Sequence, residues 1–229
     1  MGAPRLERSL LACGVIGPAL FVAAFLAQGA VRPYYDPLRH PVSSLAIGDM
    51  GWVQCANFVV AGALLLAFAV GLRLAPLPGG GWWAPLLIGL VAIGLIGAGL
   101  FVADPIGGYP PGTPTAPVRT ARGILHDLFS TPVFTAFPAA CFVLAHRFAA
   151  AGRRGWAGYA IASGAAMLVA FVLSSMGFAQ NAVLMPVGGL LQRLTLVAGL
   201  ALLAAVAVHL LSRGRSGVMP REERESADP

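Results

Sequence analysis

Apolar residues occur along this chain in six long runs, separated by segments richer in polar residues, glycine and proline. The runs cover approximately residues 9–30, 52–73, 84–103, 123–148, 156–178 and 187–211. An α-helix needs roughly 20 apolar residues to cross the hydrocarbon core of a bilayer, and each run is about that long. The pattern therefore predicts an all-α fold, an integral membrane bundle of six transmembrane helices.

The composition agrees with a membrane protein, because 58% of the residues are hydrophobic and only 10% are charged. Soluble domains carry about 25% charged residues. Two arginines precede the first run, as in a signal peptide, but this run exceeds the usual signal core of about 7–15 residues. We expect the first helix to be retained. The predicted organisation is a transmembrane domain over residues 1–212 and a disordered, charged cytoplasmic tail over 213–229.

The distribution of arginine predicts the orientation. Six spans place both termini on one side, and that side holds ten arginines against five on the other: Arg5, Arg8, Arg73, Arg147, Arg153, Arg154, Arg213, Arg215, Arg221 and Arg224 against Arg32, Arg39, Arg119, Arg122 and Arg193. Because cytoplasmic segments are enriched in basic residues, we expect both termini in the cytoplasm and three hairpins that point outward. All 15 basic residues are arginine, which is typical of a GC-rich genome and favours a bacterial inner membrane.

The net charge of +6 could also suggest nucleic acid as a partner. The arginines lie at helix ends and on the tails, however, where membrane topology explains them. We therefore expect membrane lipid, and no nucleic acid, as the partner. The three cysteines, Cys13, Cys55 and Cys141, lie in separate apolar runs without metal-ligand spacing, so we expect them to be buried small residues and predict no metal site from them. The sequence leaves any cofactor unknown. The sequence gives no oligomeric state.

The two longest connections, about residues 31–51 and 104–122, both fall on the predicted outer side. Long loops carry function more often than short ones. The first contains the segment YYDPLRHPVSS at residues 34–44, which combines an acid, a base, a histidine and hydroxyl groups. The second is rich in glycine and proline and is predicted to be an irregular cover over the helix ends.

Histidine, carboxylate and hydroxyl groups are the residue types that hydrolysis or group transfer requires. The candidate catalytic residues are His126, Asp127, His40 and Ser43. Three roles remain open for His40: a general base for Ser43 or Ser44, a metal ligand together with Asp36, His126 and Asp127, or a histidine satisfied by a loop carbonyl. No GxSxG or HExxH motif accompanies these residues.

Polar residues also follow the start of the second, fourth and sixth helices. The N-terminus of a helix attracts anions, so three such ends on one face predict a site for a phosphate or carboxylate head group. The candidate substrate-binding residues are Asp36, Arg39, Arg122, Gln192 and Arg193.

Arg193 lies about 9 Å along the sixth helix at about 1.5 Å per residue, a depth at which a charge needs a partner. We expect Asp127 to be that partner, either in a structural ion pair or as part of a substrate site. Four glycines on the third helix, Gly89, Gly94, Gly97 and Gly99, predict close helix packing.

Several segments resemble the bacterial and archaeal membrane proteins grouped as domain of unknown function 998. They are GVIGP at 14–18, YDPLRHPVSSL at 35–45, GWVQ at 51–54, NF at 57–58, LHD at 125–127 and QR at 192–193. The resemblance covers about residues 9–211. It implies a multi-helix membrane fold and assigns no activity. The chain more loosely resembles membrane ceramidase-like hydrolases, which also have serine, aspartate and histidine near one membrane face. It lacks their paired histidines on a late helix, which argues against a zinc site.

Together these features predict a polar pocket that faces away from the cytoplasm. Our hypothesis is that it binds the polar or anionic head group of a lipid or isoprenoid amphiphile, a lipid-like substrate if the protein is an enzyme. Hydrolysis or transfer of that group, by a membrane-embedded hydrolase or transferase, remains open. The alternatives are a non-enzymatic scaffold or sensor for another membrane protein and, third, a small-solute transporter.

Overall fold

The computed structural model describes residues 3–75, 81–115 and 118–216. Within these ranges the chain forms six α-helices long and apolar enough to cross a membrane, and no β-strand. They are α1 (Ala3–Val31), α2 (Gly51–Leu74), α3 (Trp83–Leu100), α4 (Ala121–Ala150), α5 (Arg154–Phe178) and α6 (Gly188–Ser216). The predicted six-helix fold is confirmed. Most of the predicted tail, residues 217–229, lies outside the described residues.

The helices form a closed ring. Each helix packs against the next one in the chain, and α6 packs against α1. By contrast, α4 and α6 approach each other over a short stretch only. A ring of this kind encloses a central space that side chains must fill. Far from the long loops it is filled by large, fully buried side chains: Leu65, Phe68, Leu72, Phe137, Leu144, Met167, Leu202 and Leu203.

Glycines on α3 determine how closely α4 packs. A Cβ atom at Gly94 would lie 2.6 Å from the carbonyl oxygen of Phe129, and one at Gly97 would lie 2.1 Å from the ring of Phe129. On the other side of α3, a Cβ atom at Gly99 would lie 2.7 Å from the carbonyl oxygen of Cys55. The predicted packing role is confirmed for these three glycines. Gly89 has only one distant neighbour, at 4.0 Å.

Two long connections cover the same end of the ring, which we call the long-loop end. The first loop spans residues 32–50 and contains a 3-10 helix at Val42–Ala46; the second loop spans residues 101–120. The ring of Tyr109, from the second loop, lies 5.3 Å from the ring of Tyr35 and 5.2 Å from that of His40. These three buried aromatic side chains join the two loops into one cover.

Candidate ligand cavity at the long-loop end

A cavity of about 520 Å³ lies beneath the two loops and is lined mainly by α4 and α5. Its lining comes from the first and second loops and from α2 to α6. The polar lining residues are Ser43, Asp104, Arg119, His126, Asp127, Ser130, Thr131, Thr135, Ser174, Ser175 and Gln192. The apolar ones include Phe58, Leu95, Val133, Phe134, Phe171 and Leu196. The cavity can therefore hold a ligand that has both polar and apolar parts.

His126 lies in the wall of this cavity with a fixed proton arrangement. Its Nδ1 atom lies 2.7 Å from the carbonyl oxygen of Phe101 and 3.1 Å from that of Ala98. A carbonyl oxygen only accepts hydrogen bonds, so Nδ1 carries a proton, and in the tautomer whose single proton lies there Nε2 is an acceptor. The ring is 4% exposed and meets Phe58 edge to face. His126, a candidate from the sequence, therefore donates to the backbone through Nδ1. In that tautomer its Nε2 atom is left as an acceptor.

The N-terminus of α4 is capped from both sides. Thr120 accepts a hydrogen bond from the backbone N–H of Gly123, at 3.1 Å, with its side-chain hydroxyl. Asp104, from the second loop, accepts hydrogen bonds from the backbone N–H of Thr120, at 2.7 Å, and from its hydroxyl, at 2.6 Å. This end of α4 therefore already has a carboxylate beside it.

The N-terminus of α6 is likewise occupied by the protein itself. The backbone N–H of Leu190 donates to the carbonyl oxygen of Leu38, at 2.9 Å. A Cβ atom at Gly189 would lie 2.4 Å from the carbonyl oxygen of His40, so the first loop rests directly on this helix end. Polar groups of the chain therefore already accept from one of the backbone N–H groups at each of these two ends. The convergence of three helix ends on an anion stays a prediction.

Arg193 anchors the first loop and does not line the cavity. Its guanidinium donates to the carbonyl oxygens of Pro37 (2.6 Å), His40 (3.1 Å) and Gly189 (2.9 Å) and to the hydroxyl of Tyr35 (2.5 Å). We call Arg193 and these four acceptors the Arg193 cluster.

The expected ion pair between Arg193 and Asp127 is wrong. The buried guanidinium is surrounded by carbonyl dipoles, whereas the Asp127 side chain is exposed and lines the cavity. Loop carbonyls that are held close to a guanidinium replace a carboxylate as its partners. A pattern of residue types does not reveal backbone acceptors of this kind.

Burial raises the pKa of Tyr35, although the charge of Arg193 beside it acts in the opposite direction. The phenol therefore keeps its proton and donates to the carbonyl oxygen of Pro41, at 2.9 Å, while it accepts from Arg193. Tyr35 thus links the Arg193 cluster to the start of the segment that enters the cavity wall.

His40 is held as a neutral ring within the first loop. The backbone N–H of Asp36 donates to Nδ1 of His40, at 2.9 Å, so the proton of the ring lies on Nε2. Burial lowers the pKa of His40, the charge of Arg39 lowers it further, and the carboxylate of Asp36 opposes them. His40 and Arg39 line a separate void of about 10 Å³. Such a space is near the lower limit for one water molecule.

This arrangement predicts a loss of stability in mild acid. The unfolded ring titrates near its ordinary pKa of 6.5, so below that pH the unfolded chain takes up the proton first. Stability should decline as the pH falls from 6.5 to the lower pKa of the folded ring and then level off. Melting temperatures of purified protein measured across this range should show the decline, and His40→Gln should reduce it.

A matched control is His146→Gln, since His146 is exposed near the other end of α4. This variant should keep the full decline of the parent protein. An equal decline in His40→Gln would show that another group causes the pH dependence.

The structure brings together four of the predicted site residues. Ser43, His126, Asp127 and Gln192 line the cavity. The side-chain oxygen of Gln192 accepts from the backbone N–H of Val42, at 2.8 Å, and so joins α6 to the first loop. The remaining candidates lie elsewhere: Asp36, Arg39, Arg122, His40 and Arg193.

Asp36 and Arg122 are exposed, and the Asp36 carboxylate accepts from the backbone N–H of Leu38, at 2.9 Å. Nowhere in the described ranges do three or more His, Cys, Asp or Glu side chains meet in a group that could hold a metal. The catalytic and binding roles assigned from the sequence remain predictions.

Several lining residues were absent from the sequence-based site. They are Asp104, Ser130, Thr131, Thr135, Ser174 and Ser175. A signal for some of them exists, because residues 127, 131 and 135 follow one another at intervals of four and therefore share one face of α4. The α5 serines have no comparable signal, since two adjacent serines in an apolar run do not show which side of the helix lines a cavity.

The fold and the cavity define a multi-pass helical membrane protein with a partly open cavity of mixed polar and apolar lining at one end of the bundle. The chain matches the family described as protein of unknown function (DUF998) over residues 15–209. It belongs to that family. No curated protein and no solved structure matches this chain.

Proposed function

We propose that this protein binds one amphiphile, with the polar head group in the cavity and the apolar chain directed toward the bilayer. The observation that carries the proposal is a cavity of about 520 Å³ whose lining mixes hydroxyl, carboxylate and imidazole groups with aliphatic and aromatic side chains. Ligand pockets typically measure about 300–1,000 Å³. A head group with the first part of an acyl or isoprenoid chain suits such a lining.

The position of the cavity supports an amphiphile over a small polar solute. Toward the opposite end of the bundle, large apolar side chains such as Phe68, Phe137 and Leu203 fill the ring. A transporter would need polar groups along a path through both halves. The stacked rings of Phe134 and Phe171, 4.6 Å apart, lie in the cavity lining and suit contact with a hydrocarbon chain.

We further propose that the long-loop end faces away from the cytoplasm of a bacterial cell, in the inner membrane, with both termini inside. The excess of arginine on the side of the termini supports this orientation. Cysteine labelling tests it: a cysteine at Asp49, which is exposed in the first loop, should react with a membrane-impermeant reagent in intact cells. Labelling only after the cells are opened would reverse the orientation.

Hydrolysis or transfer of the bound head group is a second proposal, favoured by the arrangement of His126. Its Nδ1 proton is directed to backbone carbonyls, which leaves Nε2 as a candidate general base in the cavity wall. Ser43 lines the same cavity and is the candidate nucleophile. Incubation with radiolabelled lipids should yield a product with the parent protein and none with His126→Gln, while both should bind lipid.

The binding proposal predicts a steric effect of filling the cavity. Ser130→Phe places a ring in the cavity wall and should abolish binding of the amphiphile, because the ring takes the space of the head group. Leu128→Phe is the matched control: it lies on the same helix, is 64% exposed and is outside the lining. Native mass spectrometry of protein purified from membranes should show a bound amphiphile in the parent and the control only.

Two results would contradict the proposal. If Ser130→Phe retained the same amphiphile as the control, the ligand would bind outside the cavity. If the parent protein carried no amphiphile in any mild detergent, a scaffold or sensor role for another membrane protein would be favoured. Equal melting temperatures of the two variants would exclude misfolding as the cause of lost binding.

A further inference from the structure

Hydroxyl groups on α4 and α5 present mainly acceptors to the cavity. Each of four lining hydroxyls donates its only proton to a carbonyl of its own helix: Thr131 to Asp127, Thr135 to Thr131, and Ser174 and Ser175 to Phe171, at 2.8–2.9 Å. A hydroxyl whose proton is used in this way offers only lone pairs to a ligand. This part of the wall therefore favours a ligand that donates hydrogen bonds.

The imidazole of His126 adds an acceptor of the same kind. Its proton is used by the carbonyl oxygens of Ala98 and Phe101, and Nε2 has no partner among the described residues. The residue as a whole is 4% exposed, and it lines the cavity. A donor on the ligand would satisfy Nε2.

Asp127 supplies a negative charge beside these acceptors. Its carboxylate lines the cavity and makes no hydrogen bond or ion pair within the described part of the chain, since Arg193 is held in its own cluster. A carboxylate at membrane depth is costly unless a cation or several donors compensate it. Among the described residues, the lining donors without a partner are Arg119, Ser43 and the amide nitrogen of Gln192, in the loops and α6, and one hydroxyl on α4, that of Ser130.

We infer that the wall formed by α4 and α5 receives a primary ammonium group of the bound amphiphile, with Asp127 as its counter-ion. An ammonium group carries three N–H donors and no acceptor, which matches a wall of carboxylate, imidazole Nε2 and hydroxyl lone pairs. An acidic part of the same head group, such as a phosphate, would meet Arg119 and the amide nitrogen of Gln192. This inference rests on the proposed binding of an amphiphile and specifies the chemistry of its head group.

The experiment compares the binding of lipids that differ only in the N-methylation of the head group. Purified protein in mild detergent receives phosphatidylethanolamine, its monomethyl and dimethyl derivatives, or phosphatidylcholine, all with identical acyl chains, and occupancy is measured by native mass spectrometry. Charge is constant across the series while the number of N–H donors falls from three to none. We expect binding to weaken stepwise, by roughly tenfold overall, which corresponds to the loss of one or two charge-assisted hydrogen bonds. Equal binding across the series would overturn the inference.

Asp127→Asn tests the counter-ion. The amide has nearly the same shape but carries no charge and adds a donor, so the preference for the primary amine should disappear. The control Asp49→Asn removes an exposed carboxylate of the first loop that is outside the lining, and it should keep the preference. A preference that persists in Asp127→Asn would overturn the assignment of Asp127.

Two outcomes distinguish a failure of the amine assignment from a failure of the proposed binding of an amphiphile in the cavity. If phosphatidylglycerol, which has no amine, binds better than phosphatidylethanolamine and Ser130→Phe abolishes both, the cavity holds an amphiphile but the amine assignment is wrong. If Ser130→Phe binds every lipid as well as the Leu128→Phe control does, the cavity is not the binding site. Both proposals then fail.

Discussion

Replacing Arg193 by methionine is expected to lower the free energy of unfolding by about 4 kcal/mol, because several buried acceptors lose their donor at once. Methionine keeps much of the apolar volume of the side chain, so the effect reports mainly the lost hydrogen bonds. The acceptors are three backbone carbonyls and the phenol of Tyr35, none of which can reorient freely. In a chain of this size the melting temperature should fall by about 10 °C.

Arg119→Met provides the comparison, because Arg119 is exposed on the second loop and makes no hydrogen bond among the described residues. Its melting temperature should change little. Thermal unfolding of both variants in the same detergent measures the difference. If the two substitutions had equal effects, the Arg193 cluster would not anchor the first loop.

Gly189→Ala is expected to destabilise the protein by about 3 kcal/mol, at the upper end of overpacking costs. The added Cβ atom would lie 2.4 Å from the carbonyl oxygen of His40 and 2.7 Å from that of Pro37. Both neighbours are backbone atoms, so no side-chain rotation can make space. The first loop must move away from α6, which also lengthens the hydrogen bonds of Arg193 to these carbonyls.

Gly158→Ala is the matched substitution, since Gly158 is exposed within α5 and an added Cβ atom there meets no atom within 4 Å. Alanine favours helix over glycine, so this variant should be as stable as the parent or slightly more so. Limited proteolysis of the first loop gives a second measurement, in which Gly189→Ala should be cut faster than Gly158→Ala. Equal rates would indicate that the loop does not rest on Gly189.

The helices could be predicted from the sequence because membrane solvation imposes a strong, local pattern. A span needs a long apolar run whatever its neighbours are, so all six helices were found without knowledge of packing. Helix ends were less accurate. The third run continues to residue 103, for example, whereas α3 ends at Leu100, where the chain turns into the second loop toward Asp104.

Only some of the residues at the cavity can be predicted from the sequence, and the reason is not the length of an apolar run. His126 and Asp127 are polar residues in an apolar run. Contact of such residues with lipid costs free energy, so the sequence predicts that they face the interior of the bundle or a cavity. The partner of Arg193 could not be predicted, because the carbonyls of residues 37 and 40 converge only after the first loop has folded onto α6. Residue types describe side chains, whereas this cluster is built mostly from backbone.

The sequence leaves three roles open for His40, because it does not show which backbone groups contact the ring. A histidine beside Asp36 in the sequence suggests a side-chain pair, but the contact in the structure is from the backbone N–H of Asp36. That contact fixes the tautomer and places the ring with Tyr35 and Tyr109 rather than in the cavity lining. Local chain geometry, which the sequence pattern does not contain, determined this outcome.

The neighbouring positions of α6 and α1 have a consequence for biosynthesis. The first loop emerges from the ribosome early, but the helix on which it rests, with Gly189 and Arg193, is the last of the six to be made. The loop must wait, undocked, until five spans have been inserted and the sixth arrives beside the first. Nascent chains arrested before α6 should therefore expose residues 32–50 to protease, and protection should appear only when synthesis has passed the end of that helix.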